Sequence, residues 1–172
     1  LGVSAFMLLL PVFATQLFDA SSVELGWLWS SLGIGMLAAS AWLGWINQGD
    51  LQNRLRLVSA ALAVGAIAVC TLGMFQGPIM AAVLIIIFGG STAIFTPVVW
   101  AMLQELTPEP LLGRVFTTFS AGAMAAAMVG MAGFGWVADA IGPATSLVGI
   151  GVLLLGTATV AAAFSRRRHD TT

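Results

Sequence analysis

The charges of this 172-residue chain stand far apart, and the gaps between them are long. Residues 1–18, 25–49, 57–104, 115–138 and 140–165 contain no Asp, Glu, Lys or Arg. A helix needs about 20 apolar residues to cross roughly 30 Å of hydrocarbon. The longest run, 57–104, would make a helix of about 72 Å, so it must hold two spans. Gln76-Gly77-Pro78 is the natural break. The pattern predicts six helices, at about 1–18, 25–47, 57–75, 78–103, 114–138 and 143–164. They form a membrane-embedded unit over 1–165, followed by a basic tail at 166–172. No run alternates polar and apolar residues with period two, as strands of a membrane barrel would. The expected fold class is an all-α integral membrane bundle.

Composition excludes the alternatives. Six basic and seven acidic residues are too few for a water-soluble surface, where about a quarter of residues are charged. Disordered chains are polar, and this one is 59% hydrophobic. One cysteine, Cys70, and one histidine, His169, give no internal disulfide and no four-ligand zinc site. An intramembrane Ser/His dyad would need a histidine inside a span, and His-Glu-x-x-His is absent. No catalytic residue, metal or cofactor is therefore expected. A net charge of −1 gives no bulk attraction to nucleic acid.

Arginine sets the expected orientation. The chain has no lysine, and Arg54, Arg56, Arg114, Arg166, Arg167 and Arg168 all fall on one side of six alternating spans. The positive-inside rule makes that side cytoplasmic, with both chain ends there, in a bacterial inner membrane. Trp27 and Trp29 open the second span, Trp42 and Trp45 close it, and Trp136 sits near the end of the fifth. They read as an interfacial belt or as packing aromatics. The first residue is Leu1, with no basic flank before the first span. The chain is expected to begin inside a larger protein, with its first helix clipped.

Two stretches look alike. Pro11-Val12-Phe13-Ala14-Thr15-Gln16-Leu17-Phe18-Asp19 leads to Gly26, and Pro97-Val98-Val99-Trp100-Ala101-Met102-Leu103-Gln104-Glu105 leads to Gly113. The offset is about half the chain, and three spans separate the two, so the units have opposite topology. Inverted three-helix repeats of this kind build secondary transporters.

Leu10-Pro11-Val12-Phe13, Glu24-Leu25-Gly26 with Gly33-x-Gly35, and Phe95-Thr96-Pro97-Val98 follow in order along the spans. Gln104-Glu105-Leu106-Thr107-Pro108-Glu109, Leu112-Gly113-Arg114-Val115-Phe116 and Gly135-x-x-x-Asp139-x-x-Gly142 complete the series. From about Leu8 to Phe164 the chain resembles the C-terminal half of a major facilitator superfamily transporter, nearest the branch of enterobactin exporters and macrolide-efflux proteins. The resemblance implies the seventh to twelfth of twelve helices. It also implies alternating access and efflux, often proton-coupled, and the lack of buried charge favours a small amphiphilic or apolar molecule as the substrate. The partners would be membrane lipid, the small-molecule substrate and a missing N-terminal half. A complete six-helix protein, acting as a dimeric carrier or scaffold, is the competing reading. The superfamily's cytoplasmic signature of glycine, three residues, aspartate and basic residues is degenerate here, because Gly44 to Asp50 is too long.

The family pattern places the first and fourth spans around the central cavity. Their polar, aromatic or kinking residues are Pro11, Thr15, Gln16, Ser91, Thr92, Thr96, Pro97 and Trp100. Proline frees a backbone carbonyl, which in lipid must face protein or water. Substrate contact and simple bending for packing both account for the two prolines. All seven acids lie at span ends, loops or the tail, so a proton carrier is expected in the missing half. Glu105, Glu109 and Arg114 are candidates for a gating or loop ion pair. Gly122, Ala126 and Gly130 have the spacing that lets helices approach closely. Met124, Met128 and Met131 share a face, read first as core filling and second as an adaptable ligand surface. The third and sixth spans are almost wholly aliphatic and small, which suits lipid-facing outer supports.

Overall fold

The computed structural model describes residues 2–18, 22–46, 51–74 and 77–167. Among them are six α-helices: α1 (Gly2–Phe18), α2 (Ser22–Trp45), α3 (Leu51–Met74), α4 (Pro78–Leu106), α5 (Leu112–Ile141) and α6 (Pro143–Arg167). One 3-10 turn, Glu109–Leu111, joins α4 to α5, and the described residues contain no strand.

The helix ends follow local chemistry. Pro78 begins α4 behind an extended Gly77, because proline's missing N–H costs nothing in a first turn. Thr107 is extended before Pro108, where the proline ring disfavours helix. At the α5–α6 corner Gly142 has φ +94°, a conformation open chiefly to glycine. Its N–H closes α5 on the Ala138 carbonyl at 2.9 Å, and Pro143 starts α6 at once.

α5 starts within two residues of expectation, but α3 starts earlier than expected. α3 begins at Leu51 rather than about 57, and takes in Arg54 and Arg56. Charge marks where hydrocarbon ends, but Leu, Gln and Arg are good helix formers, so the helix continues beyond it. Among the described residues, four helices are long and apolar enough to cross a membrane: Gln52–Met74, Pro78–Leu106, Glu109–Ile141 with its leading 3-10 turn, and Pro143–Ala163. The apolar part of α1 is shorter, Gly2–Thr15. In α2, four tryptophans and interspersed Ser and Gly dilute the aliphatic run.

The packing respects an exchange of the first three helices with the last three. α2 packs on α4 as α5 packs on α1, α3 packs on α4 as α6 packs on α1, and α3 pairs with α6, while α5 also packs on α6 without a comparable α2–α3 contact. α1 is the most deeply set, burying Ala5, Phe6, Leu9, Leu10, Phe13 and Ala14. The Phe6 ring meets Phe88 of α4 with centroids 4.2 Å apart.

The bland helices are not merely outer supports. α3 and α6 form the most extensive helix pair in the bundle. A Cβ added to Gly73 would stand 2.7 Å from the Ala144 carbonyl oxygen, and one on Gly151 would collide with Cys70. Their opposite faces stay open, with Val64 and Ile67 on α3 and Val152 and Val160 on α6 at least half exposed. Small aliphatic residues thus serve a close helix contact on one face and an apolar surface on the other. α5 is the least covered span, with 6% buried against 39% for α3 and α4.

Candidate functional site

The polar and aromatic residues of α1 and α4 separate into two groups. Ser91 is buried, donates its hydroxyl to the Phe88 carbonyl at 2.7 Å, and lies against Gly65 of α3. Thr92 is half-buried and donates to Gly89 O at 2.8 Å. Both border a small void shared with Val3 of α1 and Leu154 of α6. The fold therefore sets Ser91 and Thr92 into the helix contacts, with their hydroxyls satisfied by their own helix.

Thr96, Pro97 and Trp100 lie further along α4, where cover is thinner. Thr96 and Pro97 are exposed and Trp100 is half-buried. Thr96 and Trp100 are four residues apart and share a face. The Thr96 hydroxyl has no hydrogen-bond partner among the described residues. Trp100 stacks on Phe116 of α5, with centroids 4.8 Å apart and planes at 17°. It meets Phe119 edge-on at 5.4 Å and 75°. Phe116 and Phe119 are three residues apart on α5, so one face presents both rings to the tryptophan. Such aromatic contacts contribute about 0.5–1.5 kcal/mol each beyond their buried area. Phe119 remains 39% exposed, so the cluster has an open edge that a further ring or apolar group can cover.

On α1, Pro11 is half-buried and Thr15 exposed. The Thr15 hydroxyl bonds back to Pro11 O at 3.0 Å and Val12 O at 3.2 Å. It is already engaged as a donor, but its oxygen can still accept. Gln16 belongs to α1, and its side chain lies outside the described residues.

The loop residues pair differently from expectation. Glu105, in the last turn of α4, accepts from Arg54 in the first turns of α3 at 2.7 Å. Glu109 and Arg114 are exposed and form no ion pair among the described residues. α3 starts beside the end of α4, so the arginine there reaches Glu105. Glu109 stands in the 3-10 turn and Arg114 in the first turn of α5.

The α5 stripe is also only partly used. Gly130 is buried and Ala126 half-buried, but a Cβ on Gly122 would meet nothing within 4 Å. The glycines that bring helices together within this chain include Gly35, Gly89, Gly65, Gly73 and Gly151. Met124 and Met128 are 69% exposed and Met131 is 38% exposed. They do not fill the core of this bundle, because α5 turns that face outward.

Phe116, Phe119 and Arg54 were not legible as site residues in the sequence. The two phenylalanines carry a signal in their i, i+3 spacing, which a search for polar groups passes over. Arg54 carries none, since its partner lies 51 residues away.

A family model of the Major Facilitator Superfamily matches residues 1–172. Among curated relatives are enterobactin exporters EntS of Escherichia coli O1:K1 / APEC and of Shigella flexneri. Each is 27% identical over 158 residues, which is 89% of this chain and 36% and 37% of those proteins. The chain thus spans a little over a third of the length of these relatives. No solved structure matches. The all-α bundle, its apolar helices and the family match over residues 1–172 together establish that this chain is an integral membrane protein of the major facilitator superfamily.

Proposed function

We propose that the chain forms one wall of a secondary transporter that exports a small amphiphilic molecule across a bacterial inner membrane by alternating access. The observation that carries this reading is the open edge of the Trp100–Phe116–Phe119 cluster beside the Thr96 hydroxyl, which has no partner among the described residues. Rings supply adaptable apolar contact, and the hydroxyl supplies one point of polar orientation, the usual make-up of a small-molecule site. Thr15 and Gln16 on α1 and the proline bends at Pro11 and Pro97 complete the proposed lining.

Six alternating helices place Arg54, Arg56 and Arg114 at one end, proposed as cytoplasmic by the positive-inside rule. The described acids Glu24, Glu105, Glu109 and Asp139 lie at helix ends or in the connecting turn. A carboxylate in mid-membrane is the usual carrier for proton coupling, so coupling is assigned to the remainder of the protein. That remainder also supplies the second wall, and the little-covered α5 suits contact with it. Export as the direction, and enterobactin as a first compound to test, follow the names of the relatives.

The test is reconstitution in proteoliposomes under a proton gradient, with the chain alone and together with the remaining part of its transporter. Transport is expected only with both. Gradient-driven transport by the chain alone would overturn this reading in favour of a complete, dimerising carrier.

A further inference from the structure

A second apolar concavity lies on the flank of the bundle, away from the aromatic cluster. It is a groove of about 310 Å³ between α2 and α3 with α4 beneath, bordered by Trp42, Leu57, Ala60, Val64, Ile87 and Ile94 among others. We propose that this groove holds one acyl chain of an anionic phospholipid, with the lipid phosphate at Arg56.

The length fits one leaflet. The α3 lining from Leu57 to Val64 is about 10 Å of helix, and the turn that carries Asn53 and Arg56 extends it toward the interface, within the roughly 15 Å of half the hydrocarbon core. The α4 residues that border the groove, Ile87 and Ile94, lie in the middle of the span Pro78–Leu106. The groove therefore runs from mid-membrane to one interface. A protein helix would follow a seam across both leaflets, whereas an acyl chain needs only one.

The interfacial end has the chemistry of a headgroup site. Trp42 and Trp45 are 51% and 93% exposed there, at the level where indole rings sit among headgroups. Arg56 stands one helical turn before Ala60, and Asn53 one turn before Leu57, so each continues a ridge of the groove wall. Both are exposed. Arg56 forms no ion pair among the described residues, while Arg54 is engaged with Glu105. This guanidinium, unpaired among the described residues, thus lies at the mouth of the apolar slot, placed to meet a phosphate. Besides the Trp42 indole N–H at its interfacial end, the groove wall offers the Ser91 hydroxyl, which is spent on Phe88 O.

The test is native mass spectrometry of the protein as its gene encodes it, purified and titrated with phosphatidylglycerol or phosphatidylcholine in detergent. The unaltered protein should retain one phosphatidylglycerol about fivefold more tightly than phosphatidylcholine, the effect of one basic residue near a membrane surface. Arg56→Gln should abolish that preference while keeping retention of the neutral lipid. Ala60→Phe, which fills the groove from its exposed wall, should weaken both lipids. Arg114→Gln, at the same end of the bundle but outside the groove, should leave the preference intact. The proposal is overturned by equal retention of the two lipids in the unaltered protein. Equal effects of Arg56→Gln and Arg114→Gln, or unchanged retention in Ala60→Phe, would overturn it as well.

Discussion

The α2–α4 and α1–α5 contacts occupy equivalent places in the two three-helix units, yet they are built differently. Along α2–α4 the backbones nearly touch. A side chain on Gly35 would run into the Ile86 carbonyl, and one on Gly89 into that of Leu32. Along α1–α5 the approach is looser among the described residues: Leu8 stands 3.7 Å from a Cβ added to Gly135, Gly130 is buried, and Gly122 and Gly133 face open space. Without a hydrophobic force between helices in lipid, close backbone packing is what holds a pair together. The first contact is therefore the fixed part of the wall. The second leaves α5 free to present Phe116 and Phe119 beside Trp100 and to meet whatever lies outside this chain.

The largest expected effect breaks the fixed contact. Gly35→Leu and Gly89→Leu should prevent stable insertion or folding, since overpacking costs about 1–3 kcal/mol even where side chains can yield, and here the obstacle is backbone. Gly133→Leu should change thermal stability in detergent by less than about 0.5 kcal/mol. Melting curves of the three variants check this, and a Gly133→Leu loss as large as the others would erase the distinction between the contacts.

The next effect concerns ligand. In the transporting assembly, Trp100→Ala should weaken substrate binding about tenfold, from the loss of two aromatic contacts and the apolar surface they present. Phe119→Ala should weaken it less, and Cys70→Ala should leave it unchanged. Binding isotherms decide the order. A Cys70→Ala effect equal to that of Trp100→Ala would show that the aromatic cluster is not the site.

A smaller effect is expected at the end of α4. Arg54 and Glu105 have side chains 19% and 56% exposed, so solvent screens their attraction. A double-mutant cycle of Arg54→Gln and Glu105→Gln should give a coupling of about 0.2–1 kcal/mol, reduced by added salt. Coupling in transport rate beyond that in stability would give the pair a conformational role. The smallest perturbation is a labelling experiment. Single cysteines at Asn53 and Gly113 should react from the cytoplasm, and one at Ala140 from outside. The opposite pattern would reverse the proposed orientation.

The sequence foretold the number of helices, eleven of their twelve ends to within about three residues, and the kinship of the two halves. Each depends on the local succession of charged, apolar and turn-forming residues. Gln76-Gly77-Pro78 and Gly142-Pro143 mark corners whatever surrounds them. Trp100 was legible as a candidate because a polar or aromatic residue is conspicuous in an apolar helix.

The partners of those helices were decided only by the tertiary structure. In water, an apolar stripe shows which face of a helix turns inward. Here lipid and protein interior are both apolar, and a helix such as α3 carries aliphatic residues on every side. Its sequence does not tell Val69, which is buried, from Ile67, which is 57% exposed. The difference arises only when Gly73 and Gly151 let α3 and α6 close on each other. The same holds for Phe116 and Phe119 under Trp100 and for Arg54 beside Glu105. Contacts across tens of residues depend on the rotation of each helix about its axis, and an apolar sequence leaves that rotation to packing.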